Sequence, residues 1–143
     1  MRRALPFVAG LALSACAMQP DSYVGTVGGP SEAQTIANGI TDFAAAHLSP
    51  GKLVLAPIPG DQAQNAVTPA LVRSLQAAGF TVEAKPDKDA HALQYVVTPL
   101  DTGDLLRITL DQDIMGARFF TNDGGRLIAD NPFTVRIADG AGQ

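Results

Sequence analysis

The chain has 143 residues, 46% hydrophobic and 17% charged, which suits one globular domain and is too short for two of ordinary size. A formal charge of −4 argues against a nucleic-acid surface, which wants a basic excess. With a single cysteine, Cys16, no internal disulfide can form.

Residues 1–15 have the layout of a secretory signal: Arg2 and Arg3, a short apolar run, then small residues before Cys16. The run is interrupted by Pro6 and Gly10 and falls well short of the ~20 residues that a membrane-spanning helix needs. Leu13-Ser14-Ala15-Cys16 has the form of a lipobox. Its small side chains suit a narrow protease site, and the Cys16 thiolate is the nucleophile that takes a lipid. The Arg2-Arg3 pair alone gives weaker support for twin-arginine export. Cleavage before Cys16 leaves eight basic residues against 14 acids, so the side-chain balance becomes −6. Acyl chains would then supply the membrane affinity, at about 0.8 kcal/mol per buried methylene. The mature chain would be held at the membrane through its lipid. Ala17 follows the cysteine, which by resemblance to enterobacterial lipoprotein sorting points to the outer membrane.

Residues 16–30 are rich in Gly and Pro and read as a flexible tether, leaving 31–143 as a periplasmic domain. Ser31-Glu32-Ala33-Gln34 has the pattern of a capping box, with Ser31 as N-cap and Gln34 reaching back. Ala33, Ile36, Ala37, Ile40, Phe43, Ala44 and Leu48 then fall at helical spacing, so a helix is predicted to about His47, stopped by Ser49-Pro50-Gly51. A strand follows at 52–56. A second helix is predicted over 63–78, with Val67, Leu71 and Leu75 on one stripe and Gly79 closing it so that Phe80 folds back on Leu75. Thr68 is its cap if Pro69 marks the first turn.

The remainder reads as β structure: 80–84, 93–98, 105–110, 115–121, and a last pair at 127–129 and 133–137. The fold class is therefore α+β, two helices packed on a small, mainly antiparallel sheet. Register follows from parity. A loop at 100–103 puts Leu93, Tyr95 and Val97 on the face of Leu106, Ile108 and Leu110. A four-residue loop at 111–114 pairs Leu110 with Met115 and Leu106 with Phe119. That would place Arg107 across from Arg118 on the other face, beside Phe120, Leu105 and Val96. Like charges so placed call for an acid, supplied by Glu83, by Asp104 or by a partner protein, which makes Arg107, Arg118 and Phe120 candidate partner-binding residues. The competing reading is two solvated arginines whose stems cover the apolar side chains.

No catalytic, metal or cofactor constellation emerges. His47 sits where it complements a helix C-terminus, and His91 stands alone at a loop or strand start. Asp101, Asp104, Asp111 and Asp113 flank turns without the ligand ladder of a calcium loop, and read as solvated turn residues. The chain is expected not to be an enzyme.

The lipobox, the short tether and a domain of this size resemble TrbH, a lipoprotein family of plasmid conjugation systems. The resemblance continues through Ala70-Leu71-Val72-Arg73-Ser74-Leu75-Gln76-Ala77-Ala78-Gly79-Phe80, Ala92-Leu93-Gln94-Tyr95-Val96-Val97, Leu105-Leu106-Arg107 and Gly116-Ala117-Arg118-Phe119-Phe120. It implies a component of a type IV secretion apparatus for mating-pair formation, partnered by the channel's outer-ring proteins at the outer membrane. It brings no site residue beyond Cys16. The alternatives are a free-standing envelope lipoprotein that binds a small ligand or glycan, and, more remotely, a periplasmic hydrolase.

Overall fold

A computed structural model describes residues 21–60 and 64–138; Cys16, the expected signal and the first part of the expected tether lie outside the described residues. Its elements are β1 (Tyr23–Val24), α1 (Pro30–His47), β2 (Lys52–Leu55), α2 (Val67–Ala77), β3 (Thr81–Glu83), β4 (His91–Leu100), β5 (Gly103–Leu110), β6 (Ile114–Asp123), β7 (Arg126–Ala129) and β8 (Thr134–Ile137).

Three long strands, β4, β5 and β6, form an antiparallel meander. Each outer strand of the meander is shared by two short ones. Strands β1 and β2 both run parallel to β4, and β7 and β8 both run antiparallel to β6. Strand β3 adds to β2 in parallel, which completes a mixed, mostly antiparallel sheet of eight strands. The connections β1–α1–β2 and β2–α2–β3 lie in the parallel part, where a crossover helix is the natural link.

Helix α1 buries the stripe that its sequence displays: Ala33, Ile36, Ala37, Ile40, Phe43 and Ala44 are all inside. Its start differs from expectation. Pro30 occupies the first helical position, where a missing N–H is harmless, and Gly29 is the N-cap. Glu32, not Gln34, reaches back, its Oε1 accepting from the Gly28 N–H at 3.1 Å. Gln34 instead donates to Asn38 Oδ1 at 2.8 Å.

Helix α2 is capped from Asn65, whose Oδ1 accepts from the Thr68 N–H at 2.8 Å. The Thr68 hydroxyl lies 2.6 Å from the Tyr95 hydroxyl, tying the helix start to the sheet. At the other end, Gly79 takes φ +98°, a left-handed value that favours glycine, and the Phe80 N–H bonds to the Leu75 carbonyl. Phe80 is buried as the sequence predicts.

Both helices lie on one sheet face, over Leu93, Tyr95, Val97, Leu106, Ile108, Leu110, Phe120 and Leu127. Two close approaches seat α1. Phe120 comes up under Gly39, where a Cβ would lie 3.1 Å from the ring, and Phe43 comes down on Gly116, where a Cβ would lie 2.3 Å from it. Phe43 also packs on Phe133, centroid to centroid 4.9 Å.

Two expectations need correction. The β4–β5 register is as predicted, Tyr95 opposite Ile108 and Val97 opposite Leu106, although the turn takes only Asp101 and Thr102. The β5–β6 register is not. The turn occupies three residues, so Leu110 pairs with Ile114, Arg107 with Ala117 and Leu106 with Arg118. One residue of slip exchanges the faces of β6. It is made possible by left-handed backbone at Asp111 (φ +51°) and Gln112 (φ +62°), and the Asp111 carboxylate accepts from the Ala92 N–H at 2.8 Å.

The segment expected as a tether, 16–30, is not one throughout, since its described part packs with the domain. Val24 is buried, β1 pairs with β4, and the buried Ser22 hydroxyl accepts from the Tyr95 N–H at 3.1 Å. The domain thus starts by Asp21. A two-residue strand leaves too little period to be read from sequence.

Two measurements follow from this packing. Gly116→Ala is expected to destabilise by about 1–3 kcal/mol, as over-packing against an aromatic ring does, and trimming Phe43→Leu in the same chain should recover part of the loss; denaturant titration of both variants reads it. A chain starting at Ser31 should be less stable than one starting at Asp21 by roughly 2–4 kcal/mol, since it gives up Val24 burial, the Ser22 bond and the Glu32 cap partner. Equal midpoints would refute a structural role for β1.

Candidate interaction surface

Because strand side chains alternate, the sheet face opposite the helices is defined by the other parity. Cross-strand rows run Tyr23–Val96–Arg107–Ala117–Thr134 and Gln94–Thr109–Met115–Arg136, with Thr98–Leu105–Phe119 beside them. Neither helix lies over this face. Val96, Leu105, Met115, Ala117 and Phe119 are half-buried by their neighbours alone, and Arg107 and Arg136 are exposed. A shallow cleft of about 420 Å³ is lined by both arginines together with Val96, Met115 and Ala117.

The three residues expected to share a partner surface are therefore split. Arg107 is on the open face. Phe120 is on the helix face, 2% exposed, and is a core residue. Arg118 is on that side too. Its Nε donates to the Asn131 carbonyl at 2.8 Å, and its guanidinium carbon lies 5.1 Å from the Phe133 ring centroid and 5.8 Å from that of Phe120. Arg118 thus holds the link between β7 and β8 in place. The pairing of Arg107 with Arg118 does not occur, and the acid invoked to offset it is not needed there. Arg136 escaped the sequence reading because its face depends on β8 pairing with β6, a contact that local alternation does not reveal.

At the N-terminal end of α1 the helix face carries two buried acids, Glu32 and Asp104. Asp104 is no solvated turn residue: with a two-residue turn it falls inside β5, opposite Phe120 and Pro99. Burial, and secondarily the nearby Glu32 carboxylate, push the Asp104 carboxyl above its ordinary value. Both acids line a cleft of about 350 Å³ with Thr26, Pro99, Leu100 and Asn122.

The histidines stand apart. His47 packs on Phe43, ring centroids 4.5 Å apart, in the last turn of α1. His91 Nδ1 lies 2.6 Å from the Asp111 carboxylate. Among the described residues no group of three or more His, Cys, Asp or Glu side chains is placed to hold a metal, and no helix is long and apolar enough to cross a membrane.

A family model described as conjugal transfer protein TrbH matches residues 20–137, most of the chain and nearly all of the domain. No curated protein and no solved structure matches the chain.

The buried acid gives a pH expectation whose sign is fixed. Below the ordinary aspartate value of about 3.9, folded and unfolded chains both hold the proton. As pH rises, the unfolded chain ionises first and folding weakens until the folded-state value is passed, after which the penalty stays. Asp104→Asn removes that penalty. Its melting temperature relative to wild type should be more favourable at pH 7 than at pH 3, and a pH-independent difference would contradict the assignment.

Proposed function

This chain belongs to the TrbH family of conjugal transfer proteins, and from that membership we propose that it is an outer-membrane lipoprotein serving as a structural component of a conjugative type IV secretion apparatus. The observation that carries the proposal is the family match over residues 20–137. The match begins four residues after Cys16, so the lipobox and the family domain adjoin directly. In the proposed arrangement, acyl chains on Cys16 hold the protein at the periplasmic face of the outer membrane. The domain then contributes surface, not chemistry. Its helix face is closed around the core, and its open sheet face is available for contact with outer-ring proteins of the channel.

The role is one of position. Anchoring confines the domain to a layer beside the membrane, where even a modest contact acts at high effective concentration. No step of bond making is required of it, and the residues with chemical potential are engaged structurally: Asp111 with the β4 start, His47 with Phe43, Glu32 with the helix cap.

Deleting the gene is expected to abolish or sharply reduce plasmid transfer. Cys16→Ser should leave an unprocessed precursor, remove acyl labelling and reduce transfer, while the domain keeps the wild-type melting temperature. Normal transfer after deletion would overturn the conjugal role and favour the free-standing ligand-binding lipoprotein. Acyl labelling that persists in Cys16→Ser would overturn the anchor.

A further inference from the structure

The central part of the open sheet face has an electrostatic character opposite to that of the chain. The protein carries 14 acids against 10 basic residues. Yet the outward positions of β4, β5 and β6 in the three central rows hold no Asp or Glu at all, and Arg107 and Arg136 stand on that face. Among the described residues neither arginine makes an ion pair. Between them on β6 lie Met115 and Ala117, and Val96 flanks Arg107 on β4; all three are apolar and partly exposed. Two exposed guanidinium groups flanking an apolar floor form the complement of an acidic segment with an apolar centre.

We propose that this face docks an acidic, partly apolar segment of another protein of the transfer apparatus, gripped by Arg107 and Arg136 on either side of Met115 and Ala117. The proposal rests on the conjugal reading above. Its geometry constrains the segment. Arg107 on β5 and Arg136 on β8 are separated by β6 and offset by two residues along it, which places their backbones on the order of 12 Å apart. Two carboxylates on one side of a segment meet that spacing about four residues apart in an extended chain, or about seven apart in a helix. Arginine suits the task because its planar fork takes a carboxylate bidentately.

The rim of the face narrows the choice of occupant. The exposed Asp111 and Asp113 stand at the β5–β6 turn, and Asp101 at the opposite end. A flat anionic bilayer pressed on this face would meet those carboxylates, whereas a narrow segment lying between the arginines would not.

The test uses the full chain in donor cells. Arg107→Glu with Arg136→Glu should cut transfer towards the level of the gene deletion, with protein level and melting temperature unchanged. Arg107→Lys with Arg136→Lys should retain most of it, and Arg73→Glu, a charge reversal on exposed α2, should transfer as wild type. A photo-crosslinking side chain at Thr109, beside Arg107 on β5 and in the row of Arg136, should join an acidic segment of another apparatus protein, and the adduct should vanish in the double Glu variant. Wild-type transfer by that variant would overturn the proposal. So would an adduct with a second copy of this chain, or binding to phosphatidylglycerol vesicles that is lost with the two arginines. If the double Glu variant loses stability, the single Arg136→Glu change on the edge strand decides the matter. Normal transfer in the deletion strain would instead refute the conjugal reading.

Discussion

Two phenylalanines seated on two glycines set the relation of the long helix to the sheet. Phe120 rises from β6 into the space left by Gly39, and Phe43 descends from α1 into the space left by Gly116. Each ring fills the gap that the opposite element's missing side chain opens, so α1 cannot slide or rotate without breaking both contacts. The pairing in turn needs β6 in one register. Slipped by one residue, β6 would turn Phe120 and Gly116 outward and send Phe119 and Met115 to the helix. That register is held at the 111–113 turn. Left-handed backbone at Asp111 and Gln112 is unfavourable for residues with a Cβ, and it is held by the Asp111 carboxylate and by the Asp111 N–H bonded to the Ala92 carbonyl at 2.8 Å. A strained tip therefore secures a core contact at the far side of the sheet.

The same register decides where charge goes. It sends Arg118 to the helix side, where Phe133 and the Asn131 carbonyl receive it, and leaves Arg107 to share the open face with Arg136. It also sets Asp104 behind Phe120, at the buried end of α1, next to Glu32. Glu32 and Asp104 gather where the helix begins, and Arg107 and Arg136 stand on the face that the helices leave bare. The domain thus has two chemically distinct sides, although nothing in its overall charge announces them.

What the sequence made legible follows the reach of local periodicity. The buried stripe of α1, the Gly79–Phe80 ending of α2 and the pairing of β4 with β5 were all readable, because each depends on residues close in the chain with a clear period. The β5–β6 turn misled because Asp111-Gln112-Asp113 lacks the glycine or asparagine that marks a left-handed tip. One residue of error there moved Phe120 from core to surface in the reading. Strand β1 was hidden in a Gly-rich segment, with Val24 too isolated to signal burial. Asp104 looked like a turn acid because a loop of four residues was expected where the turn takes two. Arg136 could not be placed, since β8 pairs with β6 only after the chain has passed through β7. Cys16 is a different case: it lies outside the described residues, and its proposed lipidation rests on the Leu13-Ser14-Ala15-Cys16 run alone.

The sheet's margins carry a further consequence. Strand β3 has three residues, β7 and β8 have four each, and the latter two are interrupted along the β6 margin by residues 130–133, which include Pro132. Among the described residues no margin presents a long, flat ladder of unpaired N–H and C=O groups, the feature that lets one sheet extend into the next. Crowded side by side, copies of this domain have little backbone with which to template one another. Whatever order such a crowd adopts must be dictated by side chains, and can therefore be specific.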